Sequence, residues 1–235
     1  MGLRERWDET VAEVADLARS AGRDPADVRI IAVSKTVGPD VVAEAISSGV
    51  TDFGENRTGP FAEKSSLYPD ARWHFIGTLQ SNKAKAVAGR AFLVHSLDRA
   101  SLLAALQRSA ERAGVVQDVL VEVSVSGEES KGGIAPAELP ALLEDIAASP
   151  NIACKGLMTM APRGDPRVAR RTFEGLRLLS EEMDGRFHGR DTISMRELSM
   201  GMSEDFAEAI REGATMVRIG RRIFSEDFSR PTPAT

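Results

Sequence analysis

A lysine that closes a hydrophobic strand is an uncommon place for a charge, and Lys35 stands there, directly after the apolar run from Val28 to Val33 and Ser34. At the mouth of a sheet or barrel such a residue has its stem packed and its amine partly desolvated, a setting that favours the neutral, nucleophilic amine used in Schiff-base chemistry. From position alone it also reads as a strand-end lysine reaching solvent. A second pattern lies near the other end of the chain. Val217-Arg218-Ile219-Gly220 ends in a glycine that admits close backbone approach, and the residues after it open a short helix whose free N–H groups suit an anion. Ser199-Met200-Gly201-Met202-Ser203 supplies a neighbouring loop with a hydroxyl, a glycine and a candidate helix cap at Ser203.

Glu204 and Asp205 in the first turn of the helix after Ser203 disfavour an anion on that helix end. A phosphate therefore fits between the Ser199-to-Gly201 backbone and the Gly220 turn. A Schiff-base lysine together with a phosphate cradle suggests pyridoxal 5′-phosphate (PLP), whose aldehyde and phosphate need separate grips around one pyridine ring. Arg218 is placed to donate to the ring nitrogen. A guanidinium does not give up its proton, so it would hold that nitrogen unprotonated and weaken the ring as an electron sink. The alternative for Arg218 is an ion pair with Glu122 or Glu197. Without PLP, Lys35 would instead suit an aldolase-like barrel acting on a sugar phosphate.

These residues need elements to position them, and helix and strand signals alternate along the whole chain. Apolar or alternating runs predict strands over 28–33, 52–56, 73–77, 91–95, 119–125, 152–158, 192–198 and 215–219. Helical periodicity predicts helices over 3–22, 39–48, 61–67, 81–88, 99–113, 136–148, 166–183 and 204–212. The first helix turns Leu3, Trp7, Val11, Val14 and Leu17 to one side. Such alternation demands a mostly parallel sheet. Eight units in 235 residues suit a single (β/α)8 TIM barrel with an extra N-terminal helix, and an open doubly wound sheet is the other arrangement. The expected organisation is one domain over residues 1–228 and a flexible tail over 229–235. The chemistry-bearing residues then fall at strand ends, where barrels carry function.

Composition narrows the classes. Thirty Lys and Arg against 35 Asp and Glu leave a net charge of −5, which argues against nucleic acid or a membrane surface as partner. One cysteine, Cys154, forms no internal disulfide, and His74, His95 and His188 lack metal-ligand spacing. With no apolar leader, a cytoplasmic protein is expected.

At the level of whole motifs the chain closely resembles the YggS/PROSC family of PLP homeostasis proteins, from about Val28 to Phe224. The matching stretches are AVSKTV around Lys35, DFGENR at 52–57, WHFIGTLQSNK at 73–83, HSLDR at 95–99, SGEESKGG at 126–133, GLMTMAP at 156–162, LSMGMSEDFAEAI at 198–210 and VRIG at 217–220. The resemblance implies a barrel like the N-terminal domain of alanine racemase, PLP on Lys35 as an internal aldimine, and Asn56 near the ring. It also implies Ser199, Gly201 and Gly220 at the phosphate and Arg218 at the ring nitrogen. The implied role is keeping PLP and amino-acid pools in balance without established turnover, with PLP-dependent apo-enzymes as recipients and a monomeric state. Where that family has a Thr or Ser after RIG, this chain has Arg221, followed by Arg222 and, further on, Ser225. Ser124 stands where Asn is frequent.

The competing enzyme is an amino-acid racemase with weak activity. Its second base would be a tyrosine, and the one tyrosine here, Tyr68, sits before the third strand, at the wrong end for a barrel-mouth site. Three further cofactor contacts carry an interior alternative. His74 either lines the pocket or is a satisfied interior histidine, and Met158 and Met200 either pack against a flat ring or fill the core. Glu128, Glu129 and Lys131 form a charged loop over the mouth.

Overall fold

The computed structural model describes residues 1–127 and 132–228. The loop residues Glu128, Glu129 and Lys131 and the tail over 229–235 lie outside them. The chain begins with helix α1 (Leu3–Ser20) and then alternates β1 (Arg29–Val33), α2 (Pro39–Ser47), β2 (Asp52–Glu55), α3 (Thr58–Leu67), β3 (Arg72–Phe75) and a 3₁₀ segment (Ser81–Ala86). It continues with β4 (Leu93–Leu97), α4 (Ala100–Ala113), β5 (Gln117–Glu122), α5 (Leu139–Ala147), β6 (Ile152–Met158), α6 (Pro166–Arg186), β7 (Ile193–Met202), α7 (Phe206–Arg211), β8 (Met216–Ile219) and α8 (Arg221–Phe224). Each strand pairs in parallel with the next, and β8 closes on β1 from Arg29↔Met216 to Ala32↔Ile219, which makes an eight-stranded closed barrel. The expected TIM-barrel class is the one the chain adopts, and the open sheet is excluded by that closure.

Strand residues alternate between two environments. Outward-facing Phe53, Trp73, Phe75, Val94, Val121, Leu157 and Val217 pack with the helices, where burial supplies most of the driving force. Ile31, Leu93, Leu120, Met158 and Met216 form a separate apolar cluster, on the inner face of the strands. Around that cluster the barrel interior is polar, with Asp52, His74, His95, Ser199 and Arg218 all buried.

Three local expectations change. The buried residues of α1 are Leu3, Arg6, Thr10, Val14 and Ala18, while Val11 is exposed. The helix is rotated because Arg6 donates from Nε to the Ile223 carbonyl at 2.8 Å, and Thr10 satisfies its hydroxyl on the Arg6 carbonyl at 2.7 Å. Residues 81–88, read as a helix, make a single 3₁₀ segment over Ser81–Ala86. β7 runs on to Met202, so Ser199-Met200-Gly201 is strand, not loop, and the following helix starts at Phe206. Ser203 does not cap it. The Asp205 carboxylate turns back instead to accept the Met202 amide.

Candidate functional site

Lys35 is exposed on the turn that leaves β1 at the C-terminal face of the barrel. Its turn is braced from below. The Ser34 amide donates to the Gly54 carbonyl at 3.0 Å, and the Ser34 carbonyl accepts both the Val37 amide at 3.1 Å and the buried Lys64 ammonium at 2.8 Å. The same ammonium forms an ion pair with the Glu55 carboxylate, and both side chains are almost wholly excluded from solvent. Glu55 also accepts the Ser34 hydroxyl at 3.2 Å and the Asn56 amide at 3.3 Å. One buried ion pair therefore holds the strand end that precedes Lys35 and the residue that begins the β2 exit.

Asn56 is half-buried, and its Oδ1 is the one buried side-chain N or O atom among the described residues that has no hydrogen-bond partner. Gly77 lies against it. A Cβ at position 77 would fall 2.3 Å from the Asn56 carbonyl oxygen, so only glycine lets the β3 exit come this close. An unpaired buried amide costs about 1–3 kcal/mol unless something meets it. At a barrel mouth next to an exposed lysine, that is the signature of a side chain kept for a ligand, and it fits a group carrying polar ring substituents.

Arg218, on β8, donates from one amino nitrogen to the Ser199 hydroxyl at 2.6 Å and from the other to the Thr159 carbonyl at 2.9 Å. The Ser199 oxygen lies 2.9 Å from His95 Nδ1, His95 Nε2 lies 2.9 Å from His74 Nδ1, and His74 Nε2 lies 3.1 Å from Asp52 Oδ1. Asp52 is further held by Arg72 at 2.7–2.8 Å. Burial alone would raise the Asp52 carboxyl, but hydrogen bonds from His74, Arg72 and Thr51 outweigh it and hold it well below the usual carboxylate range. Burial pushes both histidines down, His95 furthest, against the opposing pull of Asp52 on His74. Burial likewise pushes Arg218 down to about 10, partly offset by Asp205 and Glu122, which leaves it charged at neutral pH. Glu122, at the end of β5, is pushed up to about 7 by burial and by Asp98, against the pull of Arg218.

The predicted residues divide accordingly. Lys35, Asn56, Arg218 and Gly220 lie at strand ends on one face, with Gly220 tight against Val33, whose carbonyl oxygen would be 3.1 Å from an added Cβ. Met158 belongs to the apolar cluster inside the barrel, as either of its readings allows. Three placements narrow the expectation. His74 is the interior histidine, with both ring nitrogens engaged. Met200 packs in the sheet–helix layer, because Ser199 points inward and its strand neighbour must point out. The Ser199 hydroxyl is committed to His95 and Arg218, so only backbone from this strand is left for a phosphate.

Gly201 serves the fold as well. Its φ is 89°, and an added Cβ would meet the Ala209 Cβ at 2.6 Å. Arg221 turns away to Glu204, with which it pairs at 2.5 Å. Arg218 pairs directly with neither proposed carboxylate, since Glu197 accepts the Thr215 hydroxyl at 2.6 Å and Glu122 acts through space. The Tyr68 hydroxyl donates to the Pro39 carbonyl at 2.9 Å.

Sequence reasoning missed Asp52, Glu55, Lys64, His95 and Thr159 as parts of this site. The histidines carried a signal, since each occupies the inward register of its strand. Lys64 carried none, because a lysine on a short helix ordinarily faces water. Among the described residues no His, Cys, Asp or Glu cluster could hold a metal ion, and no helix is long and apolar enough to cross a membrane.

Comparison with known proteins shows the family. Residues 9–226 match the family model described as alanine racemase, N-terminal domain. The chain is 41% identical over 229 residues to the pyridoxal phosphate homeostasis protein of Aquifex aeolicus, covering 96% of this chain and 99% of that protein. It is 39% identical to the protein of that name in Pseudomonas aeruginosa, covering 97% and 98%. The solved structure of PipY from Synechococcus elongatus PCC7942 with PLP bound is similar with a TM-score of 0.81 at 31% identity, covering 95% of this chain and all of that one.

Proposed function

This chain belongs to the pyridoxal phosphate homeostasis proteins, built on the alanine racemase N-terminal domain, and from that premise we propose that it holds PLP at the C-terminal mouth of its barrel. Its role is in PLP homeostasis, the function its curated relatives are named for, and in this reading it extends to amino-acid pools and runs without a turnover of its own. PLP supplies an aldehyde that bonds to amines and a pyridine ring able to withdraw electrons. In this reading Lys35 is the covalent anchor, Asn56 meets the ring's polar substituents, and Met158 lies in the apolar layer beneath. Arg218 faces the ring nitrogen, and the backbone of Ser199, Met200, Gly201 and Gly220 serves the phosphate. A charged guanidinium on the ring nitrogen keeps it unprotonated, which suits retention over carbanion chemistry.

The observation that carries the assignment of the site is the buried, partnerless Asn56 Oδ1 beside the braced Lys35 turn. Handover to PLP-dependent apo-enzymes, by a monomer in the cytoplasm, completes the proposal. The test is borohydride reduction of the PLP-loaded protein followed by peptide mapping. A pyridoxyl adduct on Lys35 is expected. Loss of the adduct to another lysine, or robust amino-acid racemisation by the loaded protein, would overturn the reading.

A further inference from the structure

The buried chain inside the barrel runs in one direction, and that direction is derivable group by group. An ionised Asp52 carboxylate only accepts, so His74 Nε2 must carry the hydrogen of that 3.1 Å contact. A neutral imidazole has a single N–H, so His74 Nδ1 is a lone pair and must accept from His95 Nε2–H at 2.9 Å. His95 Nδ1 is then a lone pair in turn and accepts the Ser199 hydroxyl proton at 2.9 Å. The Ser199 oxygen is left to accept, and Arg218 donates to it at 2.6 Å. The chain thus begins on a cation at the C-terminal end of β8 and ends on an anion at the N-terminal end of β2, with two neutral imidazoles between. Every member is fixed by the next, and all lie in a solvent-excluded interior where an unmade hydrogen bond is costly.

We infer that His95 and Ser199 are positioning residues for Arg218: anchored through His74 to Asp52, they set where the guanidinium sits and present it to the cofactor. This rests on the reading that PLP occupies the mouth with its ring nitrogen toward Arg218. The geometry gives the guanidinium two fixed points, the Ser199 hydroxyl and the Thr159 carbonyl. Thr159 is itself tied down by its hydroxyl bond to the Val123 carbonyl at 2.8 Å. The Thr159 contact is made by a backbone carbonyl, whereas the Ser199 contact is made by a side chain, so the Ser199 side is the one that a side-chain substitution can release while the backbone stays in place.

The test has two arms. In the PLP-free protein, long-range 15N–1H spectra of labelled histidine, with His188 identified through His188→Gln, should show His74 and His95 both neutral and both protonated at Nε2. A hydrogen on Nδ1 of either ring, or a charged ring at neutral pH, overturns the chain as derived. In the second arm Ser199→Ala and His95→Phe are loaded with PLP. Each should lower PLP affinity about tenfold, as loss of a charge-assisted contact implies, and shift the visible absorption band of the bound cofactor. The double variant should be no worse than the single ones. Folded variants that keep the parent's band and affinity overturn the inference. If His95→Phe does not fold, Ser199→Ala decides alone. Failure of the parent protein to bind PLP would refute the functional reading instead, and the spectra of the PLP-free protein would still test the chain.

Discussion

Removing the Lys64 ammonium tests whether the mouth is braced from inside. Lys64 and Glu55 are 4% and 0% exposed in their side chains, and between them they hold the Ser34 carbonyl, the Ser34 hydroxyl and the Asn56 amide. Lys64→Met leaves a buried carboxylate without its counter-charge, a change that costs roughly 3–5 kcal/mol in comparable buried pairs. For a chain of this length each kcal/mol lowers Tm by roughly 2–4 °C, so a fall of about 6–20 °C is expected by calorimetry or circular dichroism. Glu55→Gln should cost less than Lys64→Met, because its amide can still accept from Ser34. The Lys64→Met, Glu55→Gln double variant should recover a large part of the loss, since buried pairs replaced together by neutral groups are often close to neutral in stability. PLP affinity measured on the same proteins should fall in Lys64→Met beyond what the double variant shows. A Lys64→Met protein within about 1 kcal/mol of the parent by urea titration, with additive single and double variants, would refute the bracing argument.

Two further outcomes follow from single groups. Asn56→Ala removes a buried atom that has no partner, so the PLP-free protein should keep its Tm or gain slightly, while PLP affinity falls about tenfold; equal loss of both in a thermal melt and a titration would point to a structural role. Glu122 has its folded pKa pushed up to about 7 from an ordinary 4.5, so between these values the folded state binds more protons than the unfolded one. Stability should therefore decline as pH rises through that window and level off above it. Glu122→Gln should flatten the decline and stabilise the protein at pH 8 by as much as about 3 kcal/mol, read from urea unfolding at pH 5 and pH 8.

Much of this architecture is legible in the residue pattern, because each strand and helix declares itself through a local period. Eight strand signals separated by helical ones admit few topologies once parallel pairing and short crossovers are required. Lys35, Arg218 and Gly220 stand out for the same reason, as polar or small residues at the ends of apolar strands, whereas Asn56 enters as a ring contact through the family resemblance. For Met200 the residue pattern left a ring contact or a core position open, although the information that favours the core was present. With Ser199 inward, the two-residue period sends Met200 outward. The rotation of α1 was not legible, because burial of Arg6 depends on a carbonyl at Ile223, on the last helix of the fold.

By itself, then, the sequence determined the elements, their order, the barrel they must close into, and which polar and small residues stand at the strand ends. All of these rest on local propensity and on periods of two and about 3.6 residues. Only the tertiary structure decided what those side chains do. Ser199 reads as part of a loop whose backbone meets a phosphate, but it lies within β7, and barrel closure brings its hydroxyl to His95, 104 residues away, and to Arg218. A lysine on a short helix ordinarily faces water, but α3 packs back and buries Lys64 against Glu55 and Ser34. The physical reason is common to both. A buried polar group takes its role from the partner that satisfies it, and in a parallel barrel that partner arrives from another strand or helix.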